Sequence, residues 1–358
     1  MKMVSIIGHF AFGLEFLDGQ TVKTKVLANE LECRLGECEV SKLDTHGGFK
    51  TLIKAPFQAI SALKESKNVI ILPAHNGIRA FGRLLPLFGR FFKKRKIHYV
   101  VIGGWLPAFL EKNKSLAKSL KKFDGIYVET NTMKTALEAQ GFENVFVMPN
   151  CKDLKVLTYQ QLVYATEPPY KLCTFSRVMK EKGIEDAVNA VKVVNKELGY
   201  TAYTLDIYGQ VDGAQMEWFE EQKSRFPDFI KYCGVVSFDK TVEVLSNYFA
   251  LLFPTHYYTE GIPGTIIDAY AAGVPVISAR WESFDDMIDD GVTGIGYELG
   301  SVDALKDKLC EAYGDSVAFS KMKVNCLKKS KCFAPAEAIA ILVDLMKGDQ
   351  NGDICIQA

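Results

Sequence analysis

No C-x-x-C pair occurs among the nine cysteines of this 358-residue chain. That pattern indicates neither a disulfide framework nor a zinc site, and buried free thiols are expected. No apolar run reaches the roughly 18 residues of a spanning helix. The opening MKMVSIIGHFAFG is too short in its apolar part for a signal peptide and reads as a first strand, so a cytoplasmic protein is expected. Neither half shows G-x-G-x-x-G between its first strand and helix, which disfavours a nicotinamide dehydrogenase. No D-x-D stands at an expected strand end and no His/Asp ligand set is visible, so no metal or other cofactor is expected. The motifs of nucleic-acid binders are absent as well.

What is there has the balance of a soluble globular protein, with 48% hydrophobic and 24% charged residues. The length suits two domains better than one core. Apolar runs rich in β-branched residues alternate with helix-length segments, the pattern of parallel sheets. In the first half, strands are expected at Met3–Ile7, Val69–Leu72, His98–Gly103, Gly125–Val128 and Val145–Met148, with one of the helices at about Ile78–Lys94. The second half begins again at Leu172–Ser176 and continues through Thr204–Tyr208, Ile230–Cys233, Leu251–Pro254, Pro275–Ser278 and Gly294–Tyr297. Between them TEPPY, Thr166 to Tyr170, has a linker's prolines. The expected domains are therefore 1–168 and 169–334, with the tail of about 335–358 packing back on the first. The expected fold is α/β, two Rossmann-like doubly wound parallel-sheet domains facing across a cleft, with ligands at the carboxyl ends of the strands.

A net charge of zero conceals an asymmetry. Residues 1–160 hold 24 Lys/Arg against 14 Asp/Glu, and residues 161–358 hold 19 against 29. Much of the basic excess lies in RAFGRLLPLFGRFFKKRK, Arg79 to Lys96, where large apolar residues are interleaved with cations, as in helices that lie on an anionic membrane surface. A helix with its apolar side in the core and solvated lysines would read the same.

The second half gathers what a phosphorylated ligand needs. Arg177 follows an expected strand and Lys182 leads into a helix near Ile184; a strand end followed by cations at a helix start is a place to hold a phosphate. The stretch TEGIPGTIIDAYAAG, Thr259 to Gly273, repeats that geometry. The amides of Gly264, Thr265 and Ile266 would be free in a first helical turn and favour an anion. Glu260 would sit in the loop and Asp268 one turn into the helix. Together these residues offer cations and helix-end amides for a diphosphate, one carboxylate for ribose hydroxyls and one for a sugar. A capping Glu260 and an Asp268 on a wet helix face would read alike.

With these residues the chain resembles the retaining glycosyltransferases of family 4, which have the two-domain GT-B fold. EGIPGTIIDAYAAGVPVI, Glu260 to Ile277, is similar to that family's EGFGLPxxEAMAxGxPVI. FSRVMKEKGIEDAV, Phe175 to Val188, is similar to GRLxxEKGxxxxI, and WESFDDMIDDGVTGIGY, Trp281 to Tyr297, to GGxxEIIxDGxTGxLV. The three motifs cover about 120 residues of the second domain. The resemblance implies that Arg177 and Lys182 neutralise a donor diphosphate, that Glu260 lies near the transferred sugar, and that Asp268 accepts from the ribose. Asp268 departs from the family's Glu, being one methylene and about 1.5 Å shorter. The resemblance also implies a metal-independent transfer on one face of the sugar, in which the leaving diphosphate draws the acceptor's proton. Uridine diphosphate is the carrier expected from family frequency.

In the first half, Asp18-Gly19-Gln20 would form a tight loop before a helix starting at Thr21, and Gly19 and Gln20 look like the family's glycine-rich loop facing the donor phosphate. His75 and Trp105 follow expected strands, and Glu129 and Thr130 occupy the place of a family serine; these are the candidate acceptor contacts. His256, in PTHYYTEG, is a further donor candidate. The basic Arg79–Lys96 stretch fits an acceptor held on a membrane lipid, as in capsule, lipopolysaccharide or exopolysaccharide assembly. Two rivals stay open: a nucleotide-sugar epimerase of the same doubled architecture, and a catalytically silent sugar-nucleotide or glycan binding protein.

Overall fold

The computed structural model describes residues 1–14, 19–47 and 49–348, with the backbone alone for residues 49–52. The chain divides into two compact units, Met1–Asp153 joined by the segment from Cys332, and Leu154–Lys331. The division therefore falls ahead of TEPPY, whose prolines lie within the second unit. Residues preceding them already belong there, since the Leu157 N–H donates to Ala271 O at 2.9 Å.

The first unit holds a six-stranded sheet of β1 (Lys2–Gly8), β2 (Val40–Asp44), β3 (Ser66–Ile71), β4 (Lys96–Val100), β5 (Gly125–Val128) and β6 (Val145–Val147). Its order is β2-β1-β3-β4-β5-β6, and every pairing is parallel. Around it lie α1 (Gly19–Leu35), α2 (Phe49–Glu65), α3 (His75–Gly89), α4 (Leu106–Glu111), α5 (Lys114–Leu120) and α6 (Asn131–Ala139). Val4 and Ile6 of β1 point to a core shared with Leu27 and Leu31, while Ile7 points to one shared with Ile78 and Leu85. This alternation is the two-sided burial of a parallel sheet. The last described helices, Pro335–Ala338 and Ala340–Lys347, with Ile339 between them, bury Ile339, Leu342 and Met346 in the first of these cores.

The second unit has β7 (Tyr170–Phe175), β8 (Tyr203–Tyr208), β9 (Ile230–Gly234), β10 (Ala250–Phe253), β11 (Val276–Ala279) and β12 (Gly294–Tyr297). They run parallel in the order β12-β11-β10-β7-β8-β9. Chain order reverses between β7 and β10, and in open parallel sheets that reversal opens a crevice at the carboxyl ends of the two strands. The helices ahead of that point are α7 (Ile184–Leu198), α8 (Met216–Lys223) and α9 (Thr241–Leu245), and α10 (Gly264–Ala271) follows it.

Several expectations need correction. The Arg79–Lys96 stretch is not one helix: α3 stops at Gly89, Lys94 takes a positive φ of 66°, and Lys96 already lies in β4. The apolar side of α3 faces the core through Ile78, Phe81 and Leu85. Helix α1 starts at Gly19, two residues before the expected Thr21, and Asp18 of the expected tight loop lies outside the described residues. The expected burial of the thiols holds only for Cys151, Cys173 and Cys326 among the described cysteines. Among the described residues, no helix is long and apolar enough to cross a membrane.

Candidate functional site

At the reversal point of the second unit, the loops after β7 and β10 are pressed together by glycine. Gly183 has φ 68°, and a Cβ there would stand 1.8 Å from the Pro254 carbonyl oxygen. Gly209, at the end of β8, has φ 133° and would bring a Cβ to 1.7 Å from Ser176 O. Only glycine tolerates both the backbone angle and the approach. The consequence is that residues flanking the three strand ends share one small region.

Lys182 and Glu260 meet there in an ion pair between half-buried side chains. The Thr255 hydroxyl also donates to Glu260 Oε1 at 3.3 Å, and the Lys182 ammonium lies 4.9 Å from the centre of the Tyr257 ring. Burial, aided by the carboxylates of Glu181 and Glu260, holds the Tyr257 phenol above its usual range, so it stays a proton donor. His256 joins the two loops: its N–H donates to Glu181 O at 2.9 Å and its Nε2 lies 2.7 Å from Asp186 Oδ2 on α7. Arg177 is held more loosely. Its side chain is largely exposed, and its contact with Asp212 is 3.8 Å long.

Helix α10 begins after Pro263, which provides no side-chain cap. The Gly264 and Thr265 N–H groups find no acceptor among the described residues, whereas Ile266 N–H, expected to be free, donates to Pro263 O at 3.1 Å. The first turn closes as an i to i+3 bond, which removes one amide from the anion site. The Thr265 hydroxyl is buried and has no hydrogen-bond partner among the described residues. Asp268 is 3% exposed, which excludes the wet helix face.

The first unit treats its candidates differently. His75 opens α3 and stacks on Trp105 with centroids 3.9 Å apart, while Trp105 Nε1 donates to Ile102 O at 2.8 Å. Burial and then Arg79 lower the His75 pKa below its ordinary value, so the ring is neutral at pH 7. Gln20 is tied to the end of β3 by a 3.1 Å bond to Leu72 O, and a Cβ on Gly19 would meet nothing within 4 Å among the described residues. Glu129 and Thr130 are engaged within their own unit. Glu129 pairs with Lys23 at 2.6 Å with both side chains buried, and the Thr130 hydroxyl caps α6 by accepting from Met133 N–H at 3.1 Å. Sequence reasoning missed Asp44, at the end of β2, whose carboxylate accepts from the backbone N–H groups of Phe10, Ala11, Phe12 and His46 and shapes the turn after β1. Its only signal would have been β2 itself. Among the described residues, no three His, Cys, Asp or Glu side chains cluster as metal ligands.

Two loops thus hold a cation against a carboxylate, and the helix start that follows has two amides with no acceptor among the described residues. Residues 169–315, within the second unit, match the family model described as Glycosyl transferases group 1. Among curated relatives, the amylovoran biosynthesis glycosyltransferase AmsK of Erwinia amylovora is 25% identical over 145 residues, 39% of this chain and 35% of that protein. The 2-deoxystreptamine N-acetyl-D-glucosaminyltransferase of Niallia circulans is 31% identical over 150 residues, 40% of this chain and 36% of that protein. The matched stretch thus spans about a third of either relative. The structure of Anabaena Alr3699/HepE in complex with UDP and glucose is 12% identical but covers 97% of this chain and 100% of its own, with a TM-score of 0.73. That likeness shows the fold, which is GT-B.

Proposed function

We propose that the chain is a retaining glycosyltransferase that moves a sugar from a nucleoside diphosphate sugar, UDP-linked, to a glycan acceptor carried on lipid, in the assembly of a bacterial surface polysaccharide. The observation that carries this reading is the Lys182–Glu260 pair beside the open amides of Gly264 and Thr265. In the transfer, charge builds on the leaving diphosphate. Lys182, Arg177 and the two amides stabilise it without a metal, each contact contributing about 2 to 4 kcal/mol. Glu260 stands at the transferred sugar, Asp268 at the ribose and His256 at the edge of the donor, while the stacked His75 and Trp105 offer an aromatic step to the acceptor. The UDP in the HepE complex and the biosynthetic role printed in the AmsK name support this choice.

Thermal shift with UDP, GDP, ADP, CMP and their sugar conjugates tests the donor site. Stabilisation by UDP compounds is expected, and Arg177→Ala should abolish most of it while leaving the unliganded melting temperature unchanged, because that side chain has only a 3.8 Å contact. A shift undiminished in the variant removes Arg177 from the site. Product anomer analysis by NMR tests retention, and an inverted product rejects it. Asp268→Glu probes the shorter acid. Forcing a methylene into a site 3% exposed is expected to cost about 1 to 3 kcal/mol of stability and to raise KM for the donor more than it lowers kcat. Unchanged kinetics would detach Asp268 from the ribose.

A further inference from the structure

Helix α2 buries Ala55, Ala59, Ala62 and Leu63 but leaves three large apolar side chains, Ile53, Phe57 and Ile60, exposed. Ala55, Ala59 and Ala62 are fully buried in the first unit's core, whereas Ile53 is 64% and Phe57 75% exposed, with Ile60 beside them on the next turn. Positions 53, 57 and 60 follow the i, i+4, i+7 spacing of a single helix face. An amphipathic helix serving only its own core would turn the larger residues inward. The neighbouring α3 adds Leu87, and the turn after it adds Phe91 at 80% exposure.

The charge along this segment is almost all of one sign. Residues 49–96 contain eleven Lys/Arg and a single acid, Glu65. Lys54, Arg83, Arg90, Lys93 and Lys94 are exposed, and none of them is in an ion pair among the described residues. The basic apolar segment read from sequence at Arg79–Lys96 is thus only part of the surface, since the core side of α3 is occupied and the outward apolar stripe belongs chiefly to α2.

We infer that this face of α2, with the outer edge of α3 and the turn after it, docks on an anionic phospholipid bilayer. Phe57, Ile53 and Phe91 would enter the interfacial region while the surrounding cations meet lipid phosphates. A second copy of the chain fits poorly, because an isologous contact would set two faces of the same sign against each other. A soluble polyanion would satisfy the cations and leave the apolar stripe in water. The inference rests on the lipid-linked acceptor reading for its purpose, though not for its physical basis.

Co-sedimentation of the full chain with vesicles tests it, using phosphatidylcholine alone or mixed in equal parts with phosphatidylglycerol. Binding to the mixed vesicles is expected, weakened by added salt and poor with phosphatidylcholine alone. Phe57→Glu should reduce it by at least about tenfold, with the melting temperature and the UDP-induced shift unchanged because the side chain is exposed and in the other unit. Failure of the wild type to bind mixed vesicles, or equal binding by the variant, overturns the proposal. So does a lipid-free dimer, seen by light scattering, that Phe57→Glu dissolves. The UDP shift, read on the same samples, reports separately on the donor site.

Discussion

Lys182→Ala is expected to lower kcat/KM for the donor by about two to three orders of magnitude. The argument begins with the pair it breaks. Lys182 and Glu260 sit 78 positions apart in sequence, yet their side chains meet at the ends of β7 and β10 in a half-buried setting. Removing the ammonium takes away a countercharge for the diphosphate and also leaves the Glu260 carboxylate uncompensated beside an incoming dianion. Both effects act against donor binding. Glu260→Gln removes the carboxylate's charge while keeping its size, and is expected to depress kcat more than it weakens UDP affinity. The double variant should then bind UDP better than Lys182→Ala alone, since the repulsion has gone with the charge. Isothermal titration of UDP across the four proteins closes this cycle. Strictly additive affinities would mean that the pair serves only to hold the two loops together, with no ligand between their charges.

Much of the fold was legible in the sequence because buried parallel strands announce themselves as short apolar runs: eleven of the twelve strands coincide with expected segments. The exception, β2, reads VSKLD and lies at the sheet edge, where only Val40 is fully buried. An edge strand wetted on several sides loses the continuous apolar signal. The helix Ser316–Ser330 was missed because its inward stripe includes Lys323, whose ammonium donates to Tyr248 O at 2.9 Å and is pushed down to about 8 by burial. A lysine in that position reads as solvent exposure. Helix α3 was read too long because Phe91 and Phe92 continue the apolar pattern past Gly89, although the chain turns there. In the site, the residue types of Lys182, Glu260 and the α10 amides could be read from local pattern. Their pairing could not be, since nothing local tells Lys182 that Glu260 will face it. The same holds for Glu129, whose ion-pair partner Lys23 comes from 106 positions away.

The strongest stability effect should come from Gly183→Ala, with Gly199→Ala as its internal control. The two glycines bracket α7, as N-cap and C-cap, and both hold left-handed backbone, φ 68° and φ 80°. Placing an L residue in that region costs about 1 to 2 kcal/mol at either end. They differ in surroundings. A Cβ on Gly199 meets nothing within 4 Å, whereas one on Gly183 falls 1.8 Å from the Pro254 carbonyl oxygen, a backbone atom that cannot rotate away. Relief requires the loop after β10 to retreat from the loop after β7, which weakens the His256–Glu181 bond between them. Gly183→Ala is therefore expected to destabilise the second unit by about 3 kcal/mol or more, against about 1 for Gly199→Ala. It should also pull Glu260 away from Lys182, so donor affinity falls in the first variant and holds in the second. Urea unfolding and UDP titration of both proteins measure the two consequences. Equal losses of stability would show that the loops yield freely, and then the pairing of Lys182 with Glu260 could not depend on how closely glycine lets them approach.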